Sequence, residues 1–112
     1  MMSRAQRDKG KRGEIEVVHI LRDVLGVDCR RNLVQTREGG CDIVLEPYRI
    51  EVKRRARIGG LYEWMEQAEA ACDGGGRPLV VCRADGERWL AVMPMEEALK
   101  LIREEVVVPG GG

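Results

Sequence analysis

The feature that most constrains this chain is a switch in hydrophobic period. Over residues 7–25 the apolar positions Ile15, Val18, Leu21, Val24 and Leu25 recur at helical spacing, and Gly26 stands where such a helix would stop. Beyond it the apolar residues come in short runs instead, over residues 29–35, 41–46 and 49–55, the last two reading as a hairpin about Pro47-Tyr48. Helical spacing returns over residues 61–72 and is closed by Asp73-Gly74-Gly75-Gly76. Two more strands, 78–82 and 88–93, flank an Asp85-Gly86 turn, and a last helix runs over residues 94–105 with Pro94 in its first turn. The predicted order is αβββαββα, a mixed α/β domain. Its central sheet must be covered by helices, because neither kind of element buries its apolar face alone.

Composition narrows the class. A chain of 112 residues, 44% hydrophobic and 34% charged, suits one folded domain spanning 1–112, with a basic arm over 1–8 and a flexible tail over 106–112. No apolar run approaches the ~20 residues of a membrane span. The charged start MMSRAQRDKGKRG lacks the apolar stretch of a signal peptide, so the expectation is a cytoplasmic protein with no membrane partner. Cys29, Cys41, Cys72 and Cys82 form no CxxC pair and no His/Cys cluster, which argues against zinc and for small buried hydrophobes. His19, the only histidine, reads as a packed or surface residue of the first helix. Tyr62, Trp64 and Met65 on the second helix fit either core or an interface.

A net charge of zero hides an asymmetry. Residues 1–60 carry 14 Lys/Arg against 9 Asp/Glu, and residues 61–112 carry 5 against 10. Two basic runs stand out: Arg4, Arg7, Lys9, Lys11 and Arg12, then Lys53, Arg54, Arg55 and Arg57. Arginine forks match phosphate oxygens, so these residues are candidates for contact with a nucleic-acid backbone. A solvated basic face is the plainer alternative.

The chemistry concentrates around Gly40-Cys41-Asp42 and Glu51-Val52-Lys53. In a strand, Ile50 and Val52 face one way while Glu51 and Lys53 face the other. A turn centred on Pro47-Tyr48 sets Asp42 directly opposite Lys53, with Glu51 diagonal on the same face. Two converging carboxylates repel unless a cation lies between them, and oxygen ligands of this kind suit Mg²⁺ or Mn²⁺. A neighbouring lysine can hold a water or neutralise charge growing on a phosphate. Alternatively, Glu51 and Lys53 are ordinary polar residues on the exposed face of an edge hairpin. Glu14 lies on the apolar stripe of the first helix, where a carboxylate needs a metal or a basic partner, unless the helix start frays into solvent.

Taken together these segments resemble the PD-(D/E)xK nuclease superfamily, and within it the small Holliday-junction resolvases of archaeal type. The resemblance covers roughly residues 9–100. KGKRGEIEVVHIL resembles the family's basic, Gly-rich start and the helix bearing an acidic residue, here Glu14. CDIV and RIEVKRR match its triad as Asp42, Glu51 and Lys53; LYEWMEQAEAA matches the next helix with its recurrent glutamine, here Gln67; GGGRPLVVCRADGERWLAV resembles the closing strands. The resemblance implies a restriction-endonuclease-like fold and a metal-dependent endonuclease acting as a homodimer on branched DNA, in recombination or repair. Asp42, Glu51 and the main-chain carbonyl of Val52 would bind Mg²⁺ or Mn²⁺, and Lys53 would position water and stabilise the phosphate. Glu14 would support the metal or its water, and Gln67 would orient the lysine or contact the DNA backbone. Where several relatives carry a serine before the first aspartate, this chain offers Thr36 or Arg37. The alternatives are a phage- or repair-type nuclease of the same fold cutting flaps, nicks or linear duplex, or a DNA-binding module without turnover.

Overall fold

The structure is a computed structural model and describes residues 3–33 and 40–106. The first helix, α1 (Arg4–Leu25), begins where Ser3 accepts the Gln6 N–H and the Gln6 side chain returns the bond to the Ser3 N–H. It ends at Gly26, whose left-handed φ of 66° lets its N–H reach the Arg22 carbonyl. Residues 4–8 are therefore helical rather than a loose arm. The expected tail lies outside the described residues, except that Val106 caps the last helix.

Two strands follow, β1 (Ile43–Leu45) and β2 (Tyr48–Arg55), then α2 (Leu61–Ala70), β3 (Arg77–Ala84), β4 (Leu90–Val92) and α3 (Met95–Glu105). The sheet has the order β1-β2-β3-β4, with β2 and β3 parallel and the outer pairs antiparallel. The parallel pair needs a crossover, and α2 supplies it. This is the expected mixed sheet flanked by helices, with one correction to the order. The strand expected over 29–35 is, among the described residues, a single bridge from Arg31 to Ile43.

The β1–β2 register also differs from expectation. Leu45 pairs with Tyr48, Val44 with Arg49 and Ile43 with Ile50, so the turn residues are Glu46 and Pro47, joined by a cis peptide bond, one residue earlier than expected. Asp42 therefore does not face Lys53 across the ladder. Its own N–H donates to the Ile50 carbonyl, and its carboxylate Oδ2 accepts the Val52 N–H at 2.7 Å. A side chain thus serves where a strand carbonyl would serve, which fixes the carboxylate against β2.

The core has two parts, one on each face of the sheet. Val17 and Val18 of α1 pack with Cys29, Ile43, Ile50 and Val52, while Ala68 of α2 packs with Val80 and Cys82. Trp64 and Met65 flank this second cluster and belong to the core, whereas Tyr62 is exposed. The inward line of α1 is Gly13, Glu14, Val17, Val18 and Leu21; the expected Ile15, Val24 and Leu25 are exposed. Gly13 is required by proximity: a Cβ there would lie 2.9 Å from the Arg54 Cβ. The helix axis can therefore press onto β2 at this point, and Glu14 is carried in beside the end of the hairpin.

Cys29, Cys41 and Cys82 are buried, Cys72 is partly so, and all four are free thiols. His19 is on the surface of α1. No helix among the described residues is long and apolar enough to cross a membrane.

Candidate active site

Glu51 is the one charged residue among the described residues that the fold buries, at 6% exposure. It sits between Ile50 and Val52 in the middle of β2, and its face of the strand is the one covered by α2. Burial raises its pKa first, and the nearby Asp42 carboxylate raises it further; Lys53 pulls the other way, and the net effect is to about 8. The Lys53 ammonium is 3.9 Å from Glu51 Oε2, too far for a hydrogen bond and too weak a partner to offset the rest. Glu51 thus sits beside the Asp42 carboxylate with its own charged form strongly disfavoured.

A cleft of about 300 Å³ opens at Asp42, and Glu51 is not among the residues that line it. Asp42, Val52, Lys53 and Arg55 line it from the sheet, Gln6, Arg7, Gly10, Lys11 and Glu14 from α1, and Arg31 from the segment that follows the helix. Glu14 is the inward-facing carboxylate that needed a partner, and Arg31 provides one, with Nε 3.3 Å from Oε1. Desolvation and the Asp42 charge still raise the Glu14 pKa, with Arg31 and then Lys53 opposing. Three carboxylates therefore share one corner of the fold, and the Asp42 charge raises the cost of ionising both Glu14 and Glu51.

Arg31 escaped the sequence reading, although it stands next to Arg30 in a stretch expected to pair with the hairpin. The position is built by Asn32, whose N–H donates to the Asp42 carbonyl at 2.7 Å and whose side-chain Nδ2 donates to the Cys41 carbonyl at 3.0 Å. One clip holds Arg31 and Asp42 side by side. Thr36 and Arg37 lie outside the described residues.

The remaining candidates divide. Arg7, Lys11 and Arg55 line the cleft. Lys9 and Arg54 are both engaged by Asp85 in the β3–β4 turn, Lys9 at 3.0 Å, so the acidic half of the chain reaches across to neutralise part of the basic half. Both bonds hold the Asp85 pKa below its ordinary value. Arg4, Arg12 and Arg57 are exposed and do not line the cleft. Gln67 is exposed on α2, also away from the cleft walls.

Among the described residues no three His, Cys, Asp or Glu side chains converge as a complete metal cage. The donor set nevertheless fits a hard divalent cation of the Mg²⁺ kind. Such ions take one or two carboxylates and fill the remaining positions with water and phosphate oxygens. A cation beside Asp42 and Glu51 would offset the repulsion that, after burial, raises the Glu51 pKa.

Residues 5–108 match the family model described as "Phage putative PDDEXK endonuclease". The chain belongs to this family. The PDDEXK assignment accounts for the small mixed sheet flanked by helices, and it makes the chain a member of a nuclease family whose members generally use divalent metals. No curated protein matches the chain, and no solved structure matches it.

Proposed function

We propose that this chain is a metal-dependent, structure-selective DNA endonuclease that hydrolyses phosphodiester bonds, with four-way junctions as its substrate and two copies acting together. The observation that carries the chemistry is the buried Glu51, whose ionisation is opposed by burial and by the neighbouring Asp42 carboxylate, beside Lys53 at the wall of a cleft edged by Arg7, Lys11 and Arg55. A bound Mg²⁺ or Mn²⁺ would supply Lewis-acid activation of the phosphate and of a water. Asp42, Glu51 and the Val52 carbonyl are the groups to hold it, with Glu14 supporting through water.

Lys53 lies where its ammonium can steady a water and offset the negative charge that grows on the phosphate during attack. Arg31 and Arg55 can pin the non-bridging oxygens and the neighbouring phosphate, which aligns the scissile bond before reaction. In this reading Arg31 exchanges its Glu14 partner for phosphate as DNA enters, leaving Glu14 to the metal side of the cleft. Gln67 keeps at most an indirect part, through the DNA backbone beyond the cleft.

The junction preference rests on the resemblance to small resolvases and on symmetry, since one chain carries one triad and paired cuts need two. The phage family favours a second reading, the same hydrolysis on flaps, nicks or linear duplex. Incubation of the protein with labelled four-way, flap, nicked and linear duplex DNA, with and without Mg²⁺, tests both. Paired symmetric cuts in the junction alone support the first reading; faster cutting of flaps or duplex replaces it with the second. No cleavage of any substrate with Mg²⁺ or Mn²⁺ contradicts both.

A further inference from the structure

The last helix, α3, poses a problem that the catalytic cleft does not solve. It buries no residue at all, and its anchor to the body is the bond from Arg77 Nε to Glu97 at 2.5 Å, with Ala98 and Leu101 half-buried on the same side. Away from that side, Met95, Leu99, Ile102 and Val106 stand 72%, 50%, 50% and 54% exposed. Their spacing of four, three and four residues makes one straight apolar seam, the d-a-d-a pattern of a two-helix contact. A shallow groove runs along it, bordered by Glu96, Lys100 and Arg103. None of these residues lines the catalytic cleft.

We propose that α3 is the contact between two copies of this chain, paired antiparallel about a two-fold axis between Leu99 and Ile102. The charge pattern selects both the partner and the direction. With Leu99 of one copy against Ile102 of the other, Met95 meets Val106 at each end and the seam is closed. Glu96 and Arg103 then occupy equivalent flanking positions, so each Glu96 faces the other copy's Arg103, twice by symmetry. On the inner flank Ala98 faces Glu105, which adds no repulsion. A parallel pair sets Ala98 beside Arg103 and leaves Glu96 without its cation, so it gains nothing from these charges. The pairing supplies the contact for the two-copy reading given above, but it stands on the α3 seam and not on the chemistry of the cleft. One eleven-residue helix offers less than the ~800 Å² per partner of a standard interface, so the association belongs in the micromolar range.

Sedimentation velocity of the metal-free protein without DNA, from 5 to 200 µM, tests this. The wild type is expected to shift from monomer to dimer across that range. Glu96→Arg and Arg103→Glu, each alone, place like charges in contact and are expected to weaken dimerisation at least tenfold. The double exchange Glu96→Arg/Arg103→Glu is expected to restore it, while Leu99→Glu abolishes it. Circular dichroism checks that each variant keeps its fold. A wild type that stays monomeric at 200 µM overturns the proposal, as it would if the chain's own residues beyond Val106 covered the seam. A dimer indifferent to all these substitutions overturns the α3 contact and leaves the two-copy reading in place. Unchanged DNA cleavage by the monomeric variants would overturn the two-copy reading alone.

Discussion

Two carboxylates in this molecule, Glu51 buried on β2 and Glu97 partly exposed on α3, meet opposite fates. Glu97 on α3 accepts from Arg77 and from Lys100, and those bonds hold its pKa below the usual value. Glu51 on β2 has a carboxylate for its nearest charged neighbour and a lysine at 3.9 Å, and its pKa rises to about 8. The Glu97 arrangement is complete: it fastens a helix to a strand end. The Glu51 arrangement differs, because burial and the Asp42 charge outweigh the pull of Lys53. A structural ion pair improves the free protein, whereas a charge disfavoured in this way is stabilised by what it binds. Under the proposed function that difference marks Glu51 as the carboxylate that awaits a cation, and it can be attacked from both sides.

The largest effect should come from removing charge at each. Glu51→Gln or Asp42→Asn is expected to lower cleavage on the order of 10³-fold with binding to the DNA retained, since the basic rim is untouched. Glu97→Gln should leave the cleavage rate unchanged within a factor of about three, as expected for a change far from the reacting groups. Single-turnover rates beside gel-shift affinities check both. Equal losses for Glu51→Gln and Glu97→Gln would erase the distinction.

Next in size is the placement of Glu14. Gly13→Ala puts a Cβ 2.9 Å from the Arg54 Cβ, so α1 must move away from β2. Overpacking of this kind costs about 1–3 kcal/mol, and a shift of about 1 Å in a positioned group costs up to ~10² in rate. Gly10→Ala, one helical turn earlier, meets no atom within 4 Å and should keep full stability. Thermal melts and cleavage rates of the two alanine variants separate the close approach from helix propensity.

The pH dependence of stability comes third. In the metal-free protein Glu51 keeps its proton up to about pH 8, while the unfolded chain releases it near the model value of 4.5. Between those values the unfolded state binds fewer protons, so Glu51 makes stability fall as pH rises from about 4.5 to 8. The sign is reversed for Glu97, whose lowered pKa adds stability above the unfolded value and loses it on acidification. Glu51→Gln should therefore melt higher than wild type at pH 8.5, by on the order of a few kcal/mol, and alike at pH 4.5. Glu97→Gln should melt lower at neutral pH. A Glu51→Gln variant less stable than wild type at pH 8.5 would show that Lys53 balances the acid after all.

Smallest is the contribution of the basic rim. Arg7 and Lys11 line the cleft, whereas Lys9 already serves Asp85. Replacing Lys11 with alanine should reduce the slope of log affinity against log salt by about 0.9, and replacing Lys9 should reduce it by less. Equal slopes for Lys9→Ala and Lys11→Ala would mean that the Asp85 pair opens on DNA.

Much of this was legible before any coordinates. Period-3.6 and period-2 apolar spacing located every helix and all four observed strands, because packing on a sheet imposes those periods. Asp42, Glu51, Lys53 and Glu14 were legible as candidates for one site, and the structure places Asp42, Lys53 and Glu14 on one cleft with Glu51 beside Asp42. The register was not legible. A turn at Glu46-Pro47 instead of Pro47-Tyr48 moves Asp42 off Lys53, and only the Asp42–Val52 bond shows how the carboxylate is held. Val24 and Leu25 belong to the α1 stripe by spacing yet stand exposed, so the periodicity alone overstates how far the buried face of α1 runs. Arg31 carried no periodic signal, since its place depends on the Asn32 clip. The Asp85 contacts join residues far apart in the chain, which no local pattern encodes.

The most direct test of the metal assignment to Asp42 and Glu51 is calorimetric titration of Mn²⁺ into DNA-free protein at pH 7, in two buffers of different ionisation enthalpy. Because Glu51 holds its proton at that pH, seating the ion must displace it. The expected result is micromolar-to-millimolar binding with close to one proton released per ion, lost together with the proton signal in Glu51→Gln and unaffected by Glu97→Gln. Binding without proton release, or binding that survives Glu51→Gln, would contradict the assignment of the metal to the Asp42–Glu51 pair.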